Sequence, residues 1–138
     1  VGVLRGLDYS EIGVHDWYVY ALARSIGLTW VIGEEPTLEY RQHGGNVQGA
    51  NSGSGARDAR MAKLRNGFYR NQFILTARTA QKVGTFDECR ARQLRAILGE
   101  LEGQGIASRL RFALRWRQIR RDRLEGLKLA AARVLGVW

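Results

Sequence analysis

Residues 12–27 read "IGVHDWYVYALARSIG" and put an acidic side chain directly before an aromatic, helix-like run. Trp17, Tyr20, Ala21 and Arg24 follow one face of a 3.6-residue repeat, and Tyr18, Leu22 and Ser25 the next. The spacing predicts a helix over 17–26, and Gly27 supplies a residue that tolerates the left-handed conformation at which helices stop. Asp16 has two readings that this stretch leaves open. It can be a helix N-cap, accepting from the N2 or N3 amide. No Glu or Gln stands at N3, which is Val19, so no capping box reinforces it. It can also be a chemical group at the mouth of a cleft. Burial beside Trp17 would lift such a carboxylate toward the range of a general base.

Outward from this run, "LTWVI" (28–32) is β-branched and aromatic and reads as a strand. Gly33 to Pro36 reads as a turn. "TLEYRQ" (37–42) alternates Leu38 and Tyr40 with Glu39 and Arg41, the period of a second strand. Five of the thirteen residues in 43–55 are glycine, which marks a loop and a candidate lid. Beyond Ala56 the pattern turns helical. Met61, Leu64, Phe68 and Leu75 share a face through about residue 82, and Gly84 ends it. "TFDE" (85–88) has capping-box form, with Thr85 as N-cap of a helix over 86–101. Gly103 and Gly105 break again, and Ser108 can cap a last helix toward Trp138 with an interruption near Gly126.

The chain of 138 residues is 45% hydrophobic, enough for a packed core. Charge is unevenly spread within a net +9. Residues 1–56 hold three arginines against six carboxylates, a net −3. Residues 57–138 hold 19 basic against seven acidic groups, a net +12. The second half therefore suits an anionic partner. The single Cys89 excludes a disulfide within the chain, and no run reaches the roughly 20 apolar residues of a membrane span. A Val at position 1 suggests a fragment or a processed chain.

His15 and His43, the only two histidines, both fall at expected element ends, where side chains can meet a ligand. Here the order of residues carries a resemblance. His15-Asp16-Trp17, Gly27, Pro36, Tyr40-Arg41-Gln42-His43, Asn46 and Gly49-Ala50 resemble the C-terminal part of the catalytic domain in family-2 glycosyltransferases, especially bacterial rhamnosyltransferase-like ones. The match covers about residues 14–51. It implies an α/β fold: the C-terminal portion of a GT-A domain, here mostly α with a short pair of strands. Residues 1–55 would be the acceptor side of the catalytic domain and 56–138 a helical basic region. The implied reaction transfers a sugar from a nucleotide-diphosphate donor to an acceptor hydroxyl of a glycan or lipid-linked acceptor, with inversion, in polysaccharide biosynthesis. The resemblance makes Asp16 the general base. It makes His15, Trp17, Arg41 and Gln42 substrate-binding, and sets His43 near a divalent cation, Mg²⁺ or Mn²⁺. No Asp-x-Asp occurs in the chain, and one histidine cannot hold a hard cation. The cation is thus expected mainly on a donor-binding half outside this sequence, and the chain alone is expected to be inactive.

The basic tail sets Leu124, Leu127, Ala131, Leu135 and Trp138 on one helical face among arginines. Such a helix suits an anionic membrane surface, and it reads equally well as a solvated helix packing its leucines on the domain. A lipid-linked acceptor tips the expectation toward peripheral attachment at the inner face of the plasma membrane, and the single Cys89 fits the cytoplasm. The alternative is a non-enzymatic basic module for nucleic acid. The acidic first half and the lack of a recognisable DNA- or RNA-binding motif weigh against it.

Overall fold

The computed structural model describes residues 5–7, 10–31, 33, 35, 54–119 and 122–138. Among these residues seven helices follow one another: α1 His15–Ser25, α2 Ser54–Arg65, α3 Phe68–Val83, α4 Glu88–Glu102, α5 Ile106–Leu114, α6 Trp116–Ile119 and α7 Arg123–Val134. Helix α3 is central and packs against α1, α2 and α4. Helices α5 and α7 pack together beyond α4. Ile12, Tyr18, Leu22 and Ala80 form one core cluster, joining α1 to α3. Ile74, Leu98, Leu101, Phe112 and Trp138 form the other.

Helix α1 buries Tyr18, Leu22 and Ser25, the spacing expected of one face. It ends as Gly27 predicts. Gly27 has φ +80°, its N–H donates to Arg24 O, and Leu28 N–H donates to Ala23 O at 2.9 Å. These two bonds are a Schellman motif. That motif also explains a correction. The mostly helical structure has no strand among the described residues, so the expected strand pair, and with it the α/β reading, is not seen. Residues 28–31 are irregular. The Leu28 amide is already committed to the helix end, and Trp30 turns back to meet Tyr20 edge-on at 5.3 Å. The second expected strand, 37–42, lies outside the described residues, as do residues 43–53 of the glycine loop.

Four further boundaries differ from expectation. The helix expected over 56–82 is two, because Gly67 at φ +77° turns the chain between α2 and α3. Asp87, not Thr85, caps α4: its side chain accepts from Arg90 N at 2.8 Å, while the Thr85 N–H donates to Ser25 O. Ser108 is not a cap but lies in the first turn of α5, whose N-cap is Gly105. Its side chain fills the space a Cβ at Gly103 would occupy. The last stretch breaks at Arg115, where α5 ends, and again at Asp122, which caps α7 through Glu125 N at 2.9 Å, and Gly126 is buried inside an unbroken helix.

Two tail arginines stabilise the fold. The Arg115 guanidinium donates twice to the Glu100 carboxylate, at 2.7 and 2.9 Å, and this hydrogen bonding raises its pKa above the usual arginine value. Arg133 is 1% exposed. It donates to the carbonyls of Glu100, Leu101 and Gly103 at the end of α4, and to Trp138 O. A cation at this helix end also complements the macrodipole. Burial, then repulsion from Arg70 and Arg109, lowers its pKa. The excess of positive charge therefore overstates what is free for an outside partner.

Candidate functional site

The site is built from the chain segment that enters α1. Ile12 and Val14 are buried, and Gln72 of α3 clamps the backbone between them. Its Nε2 donates to Glu11 O at 3.0 Å and its Oε1 accepts from Gly13 N–H at 2.8 Å. A Cβ at Gly13 would stand 2.7 Å from the Phe68 ring, so a larger residue here requires that ring to shift. With the entry held this way, Val14 becomes the N-cap and Tyr18 N–H closes the first turn on Val14 O.

Asp16 consequently lies inside the first turn rather than at its cap, and no side-chain capping bond is made at this end. The capping reading is corrected on that geometry. Nor is Asp16 buried beside Trp17: it is exposed. Its carboxylate complements the positive end of α1 and lines a cleft of about 480 Å³.

Trp17 forms part of the cleft's aromatic floor. It stacks on Phe73 with centroids 5.2 Å apart and an interplanar angle of 26°, and lies 6.1 Å from Tyr69. Phe73 in turn meets Trp138 edge-on at 6.0 Å. Such ring pairs contribute about 0.5–1.5 kcal/mol each beyond their buried area, so the floor is pre-formed. The rim carries both signs of charge. Arg60 of α2 lines the cleft with Asp16, and Glu125 and Lys128 of α7 line it from the far wall. Lys128 donates to Glu125 at 2.8 Å, and that bond raises its pKa above the usual lysine value.

The structure thus brings Asp16 and Trp17 to one cleft. His15 is exposed and outside its lining. Arg41, Gln42 and His43 lie outside the described residues. No cluster of three His, Cys, Asp or Glu side chains able to hold a metal occurs among the described residues, so they do not fit a divalent-cation site by themselves. Sequence reasoning missed Gln72, the facing wall of α7, and Trp138, which it set on the outer tail face. Tyr69 and Phe73 stand four apart, a spacing that could have revealed the floor. Chemically, an aromatic floor under carboxylate and cationic groups suits a ligand with one apolar face and several hydroxyls.

The chain is 29% identical over 129 residues to the dTDP-rhamnosyl transferase RfbG of Shigella flexneri, an alignment covering 94% of this chain. The chain spans about two fifths of that relative's length, 40%. The likeness supports a relationship to glycosyltransferases. No protein-family model matches the chain, and no solved structure matches it.

Proposed function

We propose that this chain forms the acceptor side of an inverting glycosyltransferase of family 2 and GT-A type. The observation that carries the reading is Asp16 on the lining of a cleft floored by Trp17, in a chain similar to a rhamnosyl transferase. The acceptor sugar lies with its apolar face on the Trp17 ring and one hydroxyl toward Asp16. Asp16 takes the proton of that hydroxyl as its oxygen attacks the anomeric carbon, and the nucleoside diphosphate leaves from the opposite face. A base and a leaving group on opposite sides of the sugar give inversion. His15, beside Asp16 but outside the cleft lining, keeps a substrate-binding role on the sequence pattern alone. Arg41, Gln42 and His43 serve the donor side, a role that rests on the sequence pattern. The divalent cation of such enzymes has no site among the described residues, and no step above depends on it. The donor in the relative's name makes dTDP-rhamnose the first donor to test, with a glycan or lipid-linked acceptor.

The test is Asp16→Asn in the full-length protein, assayed by transfer from dTDP-rhamnose. Asn keeps the shape and loses the base. Transfer falls by about 10²-fold or more. Stability falls by at most about 1 kcal/mol, the loss of a charge from an exposed helix start. Near-normal transfer by a folded Asp16→Asn protein removes Asp16 from the chemistry.

A further inference from the structure

Helix α7 has two working faces. Glu125, Lys128, Leu129 and Ala132 form a wall of the cleft. Leu127, Val134 and Leu135 point away from it and, with Leu110, Leu114 and Trp116, line a second groove. That groove is made only of Leu, Ala, Val and Trp residues. It is open: Leu114 is 81% exposed and Leu135 76%. Leu124 and Ile106, on the same two helices, are 60% and 75% exposed. A patch of this kind marks an interaction surface.

We infer that the α5–α7 groove docks on an anionic lipid surface. Charge argues for this occupant. Residues 105–138 carry nine basic and two acidic groups, a net +7. Arg115 and Arg133 are held internally, whereas Arg111, Arg117 and Arg123 are exposed. The Arg117 guanidinium lies 5.1 Å from the Trp116 ring centroid, so a cation sits on the aromatic residue at the groove's edge. Indole at the level of the headgroups, arginine toward phosphate and leucines in the acyl boundary is the arrangement of an interfacial anchor. The lining side chains offer no hydrogen-bonding group except the indole, so nothing in the groove favours the polar contacts of a specific protein partner. No described helix is long and apolar enough to cross a membrane, so docking is in the plane of the surface. The anchor differs from the face read in the tail sequence, because Trp138 is 3% exposed and turns into the core. Its use, holding the cleft beside a lipid-linked acceptor on the opposite face of α7, rests on the proposed function; the docking itself does not.

Vesicle sedimentation of the full chain tests it without any donor sugar. Vesicles of phosphatidylglycerol and phosphatidylcholine bind the chain at low salt. Vesicles of phosphatidylcholine alone bind it at least about tenfold more weakly. Leu114→Glu/Leu135→Glu changes only exposed positions, keeps the circular dichroism of the parent, and weakens binding to the mixed vesicles by about tenfold or more. Trp116→Phe loses most of the lipid-induced blue shift of tryptophan fluorescence. Three results overturn the inference: no sedimentation with the mixed vesicles; binding that the double leucine variant leaves unchanged, which is charge adhesion alone; or a dimer in size-exclusion chromatography that the leucine variant dissolves while vesicles capture nothing, which gives the groove to a second copy.

Discussion

Arg133→Met puts the largest single demand on this fold. The guanidinium is 1% exposed and donates to four carbonyl oxygens, three of them in or just beyond the last turn of α4, with its closest bond 2.6 Å to Gly103 O. Its acceptors among the described residues are backbone oxygens: the carbonyls that a helix leaves unpaired at its end, and Trp138 O. Methionine fills similar space and offers no donor. Each buried carbonyl left unpaired costs about 1–3 kcal/mol, and losing the cation from the helix end costs up to about 1 kcal/mol more. Relief from burying a charge, visible in the lowered pKa of Arg133, offsets part of this. The expected net loss is about 3–4 kcal/mol, a large share of the roughly 5–15 kcal/mol of a typical domain. Urea denaturation followed by circular dichroism measures it, with a fall in Tm of about 10 °C as a second reading. Arg133→Lys separates geometry from charge. A single ammonium cannot span the Glu100, Leu101 and Gly103 carbonyls together with Trp138, so lysine recovers less than half of the loss. A methionine variant within 1 kcal/mol (about the loss of one hydrogen bond) of the parent would refute the reasoning. Full rescue by lysine would refute the part that depends on the planar fork.

Two smaller perturbations probe the cleft's foundations. Gln72→Leu removes both bonds that hold the Glu11–Gly13 backbone; stability falls by about 2 kcal/mol, and hydrogen exchange speeds up at the Gly13 amide while amides in the middle of α4 change no more than global stability requires. Equal protection of Gly13 in the variant would show that the clamp does not hold the entry to α1. Tyr18→Phe has the opposite expectation, because the Tyr18 hydroxyl is buried without a hydrogen-bond partner among the described residues. Removing it leaves stability unchanged or raises it by up to about 1 kcal/mol, and a loss above 1 kcal/mol in the same denaturation assay speaks against that picture.

Legibility differed from element to element for physical reasons. The stop at Gly27 was readable because a left-handed residue with two backbone bonds is a local event. The start of α1 was not. Asp16 has the chemistry of a cap, yet the anchor that moves the start to Val14 comes from Gln72, fifty-nine residues from Gly13 in sequence. The caps of α4 and α7 are Asp87 and Asp122, both of a residue type that caps well, but competing signals at Thr85, Ser108 and Gly126 had equal local standing. Residues 28–31 have strand-forming composition, but a strand needs a neighbouring backbone, and composition cannot supply one.

By itself the sequence determined that this chain is largely helical beyond residue 56, that the stretch 17–25 is helical and stops at Gly27, and that the second half is strongly basic. Periodicity, glycine conformation and charge are properties of neighbouring residues and survive without a fold. Only the tertiary structure decided what those features do. It sets Trp17 on Phe73 and brings α7 across from Asp16, making one cleft from residues more than a hundred positions apart. It also sorts arginines that look alike in the text: Arg133 is sealed against carbonyl groups while Arg117 stays at an open apolar groove. Burial depends on which surfaces meet, and that is settled by packing over the whole chain rather than by any residue's near neighbours.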